Sequence, residues 1–180
     1  MQILGAVLAG GRSSRFGSDK AMARMRDGRT LLDHAVVGLA PHVAQVVICG
    51  RDDGLPDRPA PDMGPLGGLN AALHHAALNG FAGVLTTGCD MPFYPAPLPL
   101  PLWGDGAAVL EGQPLIGWWP AALAAALDAH LAEENNRSLF GWMERVGARR
   151  VAVPGLTLPN INRPQDLAAL DQSLRPDGRP

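Results

Sequence analysis

Residues 3–20 read ILGAVLAGGRSSRFGSDK. The apolar run Ile3, Leu4, Ala6, Val7 and Leu8 predicts a buried strand. It breaks at Gly10-Gly11 into a loop that carries Arg12, Ser13, Ser14, Arg15, Gly17 and Lys20. Glycines let the backbone approach a ligand closely, free amides form an anion nest, and arginine and lysine neutralise phosphate charge. The combination suits a nucleoside triphosphate. No Gly-Lys-Ser/Thr follows the glycines, so the loop is not a P-loop, and the glycines miss the G-x-G-x-x-G dinucleotide spacing. The competing reading is an ordinary strand-to-helix turn with surface charges.

The remaining chain alternates apolar runs with helical patterns, the order expected of an open α/β sheet. Thr30 is placed to cap a helix through Leu39 that Pro41 stops. A second strand is expected over Val43–Cys49; its contiguous Val46, Val47 and Ile48 suggest cover on both faces. A proline-rich loop, Leu55–Pro65, leads to a helix over Leu66–Leu78 with Gly80 as its stop. Phe81–Thr87 reads as a third strand, ending in Gly88-Cys89-Asp90-Met91-Pro92. Pro95–Pro101 is expected as a rigid surface connector. Two short strands follow at Ala107–Leu110 and Leu115–Trp119 around a Glu111-Gly112 turn. Pro120 is expected to start a helix to about Leu131, followed by a helix at Leu139–Val146, a strand at Arg149–Val153 and a helix from Pro164. A single domain over residues 1–180 is predicted, with a polar tail from about residue 173.

Size and composition narrow the function. At 180 residues, 47 % apolar and 18 % charged, the chain suits one globular domain with a substantial core. A net charge of −2 gives no support to a nucleic-acid surface. No apolar run is long enough to cross a bilayer, and Met1 leads directly into the first strand, so a cytoplasmic protein without a cleaved signal is expected. Cys49 and Cys89 read as small buried residues. His34, His42, His74, His75 and His130 lack metal-like company and are read as surface or helix-face residues.

Asp90 is the main candidate for chemistry. A carboxylate at the carboxyl end of a buried strand lies where open α/β sheets bind ligands. A hard oxygen ligand there suits Mg²⁺, which takes one or two carboxylates plus substrate phosphates. A turn carboxylate capping nearby amides is the alternative. Gly64-Pro65-Leu66-Gly67-Gly68-Leu69 would bring backbone amides and a positive helix end toward a ligand, or form only a tight helix entry.

LAGGRSSRFGSDK resembles the signature loop of LAGG-type nucleotidyltransferases, and the doubled Gly10-Gly11 is most similar to the molybdenum cofactor guanylyltransferase family. GCDMPFYP resembles that family's C-D-x-P block, GPLGGL its G-P-L-A/G-G block, and Asn160-Ile161-Asn162-Arg163-Pro164-Gln165-Asp166-Leu167 its N-x-N-T-P-E-D-L block. These blocks occur in family order from residue 3 to 167. The resemblance implies a three-layer, open, mostly parallel sheet with helices on both faces, a Rossmann-like nucleotidyltransferase fold. It implies transfer of GMP from GTP to molybdenum-molybdopterin with Mg²⁺, releasing pyrophosphate. By the same resemblance Leu8, Ala9, Gly10, Gly11, Lys20, Asp57 and Asp90 bind GTP, with Asp62 as a nearer competitor to Asp57. Arg15, Lys20 and Asp90 are then catalytic and Asp90 holds the metal, with Asn162 as a second candidate ligand. Asn160, Asn162 and Arg137 fall on the acceptor side, near segments beginning at Gln113 and Glu134.

Molybdenum-insertion proteins and molybdoenzyme chaperones would be partners; neither nucleic acid nor membrane is expected. Two departures stand out. Arg163 replaces the usual threonine, and Ile48-Cys49-Gly50-Arg51 lacks the family's nucleotide-contacting asparagine. Rival readings are a cytidylyltransferase on the same cofactor, a sugar-phosphate nucleotidyltransferase, and a non-catalytic nucleotide-binding adaptor in molybdoenzyme maturation.

Overall fold

The structure, a computed structural model, describes residues 1–10, 19–95, 98–133, 137–156, 158, 161 and 163–173. Its strands are β1 (Leu4–Leu8), β2 (Gln45–Cys49), β3 (Gly83–Gly88), β4 (Ala108–Leu110), β5 (Gln113–Pro120) and β6 (Arg149–Val151). Its helices are α1 (Leu31–Leu39), α2 (Pro65–Leu78), α3 (Pro99–Leu102), α4 (Ala124–Ala132), α5 (Leu139–Arg145) and α6 (Pro164–Ser173). They form a six-stranded sheet in the order β2-β1-β3-β5-β4-β6. β1 pairs in parallel with β2 and β3, and β4 with β6; β5 runs antiparallel to β3 and β4. The sheet is thus mostly parallel, as expected, with β5 reversed.

Helices cover both faces because alternate strand residues point to opposite sides. Leu4, Ala6, Leu8, Val84 and Trp119 pack with α2, α4 and α5 through Leu69, Leu73, Leu127 and Trp142. Val7, Leu85 and Trp118 pack with α1 and α3 through Ala35, Leu39 and Leu102. β1 and β3 are buried along their whole lengths.

Local signals set several boundaries where the sequence predicts them. Thr30 Oγ1 accepts from the Asp33 backbone N–H at 3.0 Å, and Asp33 Oδ2 accepts from the Thr30 N–H at 2.9 Å. That reciprocal box starts α1. Gly80, at φ 75°, follows the end of α2. Elsewhere the structure corrects the sequence. β2 is an edge strand and mostly half-buried rather than covered on both faces. The segment expected as a surface connector ends in the short helix α3, with Leu98, Pro99 and Leu102 buried. Pro120 closes β5 instead of opening a helix, and α4 begins at Ala124 after a 3-10 turn. His130 is fully buried on α4 and His34 nearly so, whereas His75 sits half-buried on a helix face. The predicted polar tail lies beyond Ser173, outside the described residues. Among the described residues no helix is long and apolar enough to cross a membrane.

In the parallel register Leu8 lies opposite both Cys49 and Gly88. The carboxyl ends of β1, β2 and β3 therefore open on one side, and Gly10, Gly50 and Asp90 emerge there together.

Candidate active site

The hydrogen-bond ladder continues just past β1. The Ala9 N–H donates to the Cys49 carbonyl at 3.0 Å, and the Cys89 N–H donates to the Leu8 carbonyl at 3.3 Å. Gly10 then passes against Gly50. A Cβ on Gly50 would sit 2.6 Å from Gly10 Cα, and Gly50 has φ 78°. Only glycine meets both demands, the left-handed backbone and the close approach of a neighbouring chain.

Lys20 and Asp90 meet at this end of the sheet. Asp19 caps a 3-10 turn over Lys20–Met22, its carboxylate accepting from the Ala21 N–H at 3.1 Å. Lys20, the first residue of that turn, is buried, and its Nζ donates to Asp90 Oδ2 at 3.3 Å. Asp90 Oδ1 lies over Gly88, where a Cβ would be only 2.5 Å away. The Asp90 carbonyl accepts from the Ile161 N–H at 3.3 Å, so the Asn-Ile-Asn block touches the acid 71 positions earlier through its middle residue. Ile161 is buried with Met25, Leu31 and Leu170. Gly11, Arg15, Asn160 and Asn162, all candidates from sequence, lie outside the described residues.

Cys89, between these groups, has its thiol pushed up to about 11 by burial, with the Asp90 charge adding to the effect. It stays protonated and is a poor nucleophile at neutral pH. Arg51 was not singled out by sequence, although it directly follows the glycine that ends β2. Its Nη2 donates to Asp19 Oδ2 at 2.8 Å, and its Nε lies 3.9 Å from Asp53. The Arg51 hydrogen bond holds the Asp19 carboxyl below the ordinary aspartate range.

Beside the Gly10–Gly50 contact opens a pocket of about 680 Å³, lined by Gly10, Gly50, Arg51, Asp57, Asp62 and Gly64 among others. That volume is within the range of small-molecule sites. Asp57 Oδ2 accepts from the Met63 N–H at 3.2 Å, while Oδ1 is buried and has no hydrogen-bond partner among the described residues. Burial pushes the Asp57 carboxyl above its usual value, with Asp62 contributing repulsion. The glycines at the start of α2 make room for it: a Cβ on Gly67 would lie 2.9 Å from Asp57 Cγ and 2.5 Å from Met63 Cβ. Asp62 lines the same pocket at φ 61°. An orphaned acceptor beside a pocket is suited to a ligand N–H donor.

Other expected residues stand apart. Arg137 is exposed just before Ser138, the cap of α5, and no described contact joins it to Lys20 or Asp90. Leu115 is nearer, its Cδ1 2.9 Å from a Cβ built on Gly88. Among the described residues no group of three or more His, Cys, Asp or Glu could hold a metal. The donor set fits an ion held by one carboxylate and completed by substrate oxygens and water, as is common for Mg²⁺.

Residues 5–146 match the MobA-like NTP transferase domain. A molybdenum cofactor guanylyltransferase of Rhizobium leguminosarum bv. trifolii is 36 % identical over 96 % of this chain and 93 % of its own length. The chain belongs to the MobA-like NTP transferase family. A molybdenum cofactor guanylyltransferase of Cereibacter sphaeroides is likewise 36 % identical, covering 98 % of this chain and all of the relative. Among solved structures, molybdopterin-guanine dinucleotide biosynthesis protein A from Archaeoglobus fulgidus superposes with a TM-score of 0.70 at 20 % identity, over 94 % of this chain and 97 % of that one. The 2-C-methyl-D-erythritol 4-phosphate cytidylyltransferase of Thermus thermophilus reaches 0.66 at 17 % identity, over 96 % and 98 %. These two likenesses bear on the fold, which is that of α/β nucleotidyltransferases. As a family member the chain is a nucleotidyltransferase.

Proposed function

We propose that this enzyme transfers GMP from GTP to the terminal phosphate of molybdenum-molybdopterin, releasing pyrophosphate, with Mg²⁺ as the divalent ion. The observation that carries the reading is the Lys20–Asp90 contact of 3.3 Å beside the Gly10 turn. It joins a cation and a hard oxygen ligand just past β3, the strand beside β1, whose continuation at Gly10 lines the same pocket as Asp57. The guanylyltransferase names of the relatives support the choice of nucleotide and acceptor.

In this reading Leu8, Ala9, Gly10 and Gly11 carry the nucleotide backbone, and Asp57 offers its unpaired oxygen to the guanine N–H edge. Lys20 gives up Asp90 on substrate binding and turns its ammonium to the triphosphate, a task also assigned to Arg15. Asp90 and, as a second ligand, Asn162 hold the ion. An ion held there would neutralise charge on the oxygens of the attacked phosphoryl group and of the departing pyrophosphate. The acceptor phosphate is ionised near neutral pH and needs no strong base. The protein's contribution is in-line positioning and charge stabilisation. Asn160 and Arg137 are assigned to the acceptor side, and a cytoplasmic site of action fits a reaction fed by GTP.

Parallel incubation with GTP, CTP and ATP, molybdenum-molybdopterin and Mg²⁺ tests the reading. Mass detection should find the guanine conjugate, with pyrophosphate released in step. A cytosine conjugate, or no conjugate from any nucleotide, would overturn it.

A further inference from the structure

Gly10 and Asp19 are the described residues that flank residues 11–18, and both rest on the same dipeptide. Gly10 packs backbone to backbone on Gly50, and Asp19 is ion-paired to Arg51. Gly50 is itself pinned, its N–H donating to the Leu55 carbonyl at 2.9 Å. The Gly50-Arg51 step that follows β2 therefore holds both Gly10 and Asp19, the residues between which 11–18 run.

Asp19 matters more, because Lys20 follows it directly. Asp19 divides its two oxygens. Oδ1 caps the turn that contains Lys20, and Oδ2 receives the Arg51 guanidinium at 2.8 Å. Arg51 is mostly buried at this contact, with 22 % of its side chain exposed, and it lines both the Asp57 pocket and a neighbouring cleft beneath α1. Asp19 keeps 48 % of its side chain in solvent, so the pair adds little stability; what it supplies is the fixed direction of a short charge-assisted bond.

We infer that Arg51 is a positioning residue for nucleotidyl transfer: through Asp19 it locks the return of the nucleotide loop so that Lys20 is held over the site of the triphosphate. This rests on the proposed guanylyl transfer. It also gives a role to the end of β2 in a chain that lacks the asparagine expected there. The lock fixes geometry rather than binding energy, so its loss lowers kcat more than it raises the KM for GTP.

The experiment compares wild type with Arg51→Met, Arg51→Lys and Asp19→Asn by steady-state kinetics of GMP transfer, GTP calorimetry and thermal unfolding. Asp19→Asn keeps the oxygen that caps Lys20–Met22 but turns an amide toward Arg51. Arg51→Met and Asp19→Asn should each lower kcat by about 10- to 100-fold, the scale of an ångström-sized misplacement. KM for GTP should change less than about threefold, and the double variant should be no worse than the poorer single one. Arg51→Lys should recover part of the loss. A raised KM in Arg51→Met together with tighter GTP binding in Asp19→Asn would instead make Arg51 a direct phosphate ligand that Asp19 holds back, and would overturn the proposal. Unchanged kcat in folded Arg51→Met would overturn it as well. Absence of transfer by wild type would be a failure of the guanylyl-transfer reading; the lock is then judged by crystal structures of the two variants, where a displaced Lys20–Asp90 contact in both supports it and an unmoved contact overturns it.

Discussion

Asp90 uses its two carboxylate oxygens differently: Oδ2 takes the Lys20 ammonium and Oδ1 lies over the bare Cα of Gly88. Removing either partner strips charge stabilisation from the triphosphate and leaves the sheet intact, since both side chains stand beyond the strand ends. Lys20→Ala and Asp90→Ala should each lower kcat by about 10²–10³-fold or more. Circular dichroism should remain that of the wild type, and near-normal GMP transfer in either variant would contradict the assignment. Gly50 makes a different demand. An alanine there must adopt φ 78° and bring its Cβ to 2.6 Å from Gly10 Cα. Gly50→Ala should therefore destabilise the fold by roughly 1–3 kcal/mol and weaken GTP binding, measured by chemical unfolding and calorimetry. An unchanged unfolding midpoint would show that the two backbones can part without cost. At this scale the sequence exposes Lys20 and Asp90, because residue type and position at a strand end carry the signal. It hides the Arg51–Asp19 pair, whose members lie 32 positions apart and meet only because β1 and β2 are neighbours.

Elements were legible where their signals are local. The Thr30 box and the Leu4–Leu8 run need no knowledge of the rest of the chain to be read. The edge position of β2 is a property of strand order, so an apolar Val46-Val47-Ile48 run reads the same whether covered on one face or two. α3 is short and proline-rich, and what fixes it is burial of Leu98 and Leu102 against the sheet. His130 on α4 shows another effect of packing. It is fully buried with its ring 5.3 Å from that of Trp142, and neither ring nitrogen has a hydrogen-bond partner among the described residues. Burial holds its imidazole below the usual histidine value, with the nearby Arg145 charge acting in the same direction and Glu133 against it. The folded state keeps this ring neutral, while the unfolded chain protonates it near pH 6.5. Its contribution to stability is complete above about that pH and is lost as the solution is acidified toward the lower folded value. Urea unfolding at several pH values should show a steeper acid loss in wild type than in His130→Phe. Parallel curves would mean that this histidine does not titrate in unfolding.

At the scale of the molecule, we take residues 1–180 as one nucleotidyltransferase domain in which the switch from β1 to its two parallel neighbours creates the site. Three strand ends open on the same side, and each delivers one part: Gly10 from β1, the Gly50-Arg51 step from β2 and Asp90 from β3. α2 adds the glycine entry that seats Asp57, and Ile161 ties the carboxyl-terminal block to the acid. A crystal structure with a non-hydrolysable GTP analogue and Mn²⁺ is the most direct measurement of this convergence. The account predicts an anomalous peak on the Asp90 carboxylate, the triphosphate against Gly10 with Lys20 swung onto it, and guanine within hydrogen-bond distance of Asp57. A nucleotide bound in another cleft, or a metal peak remote from Asp90, would contradict it.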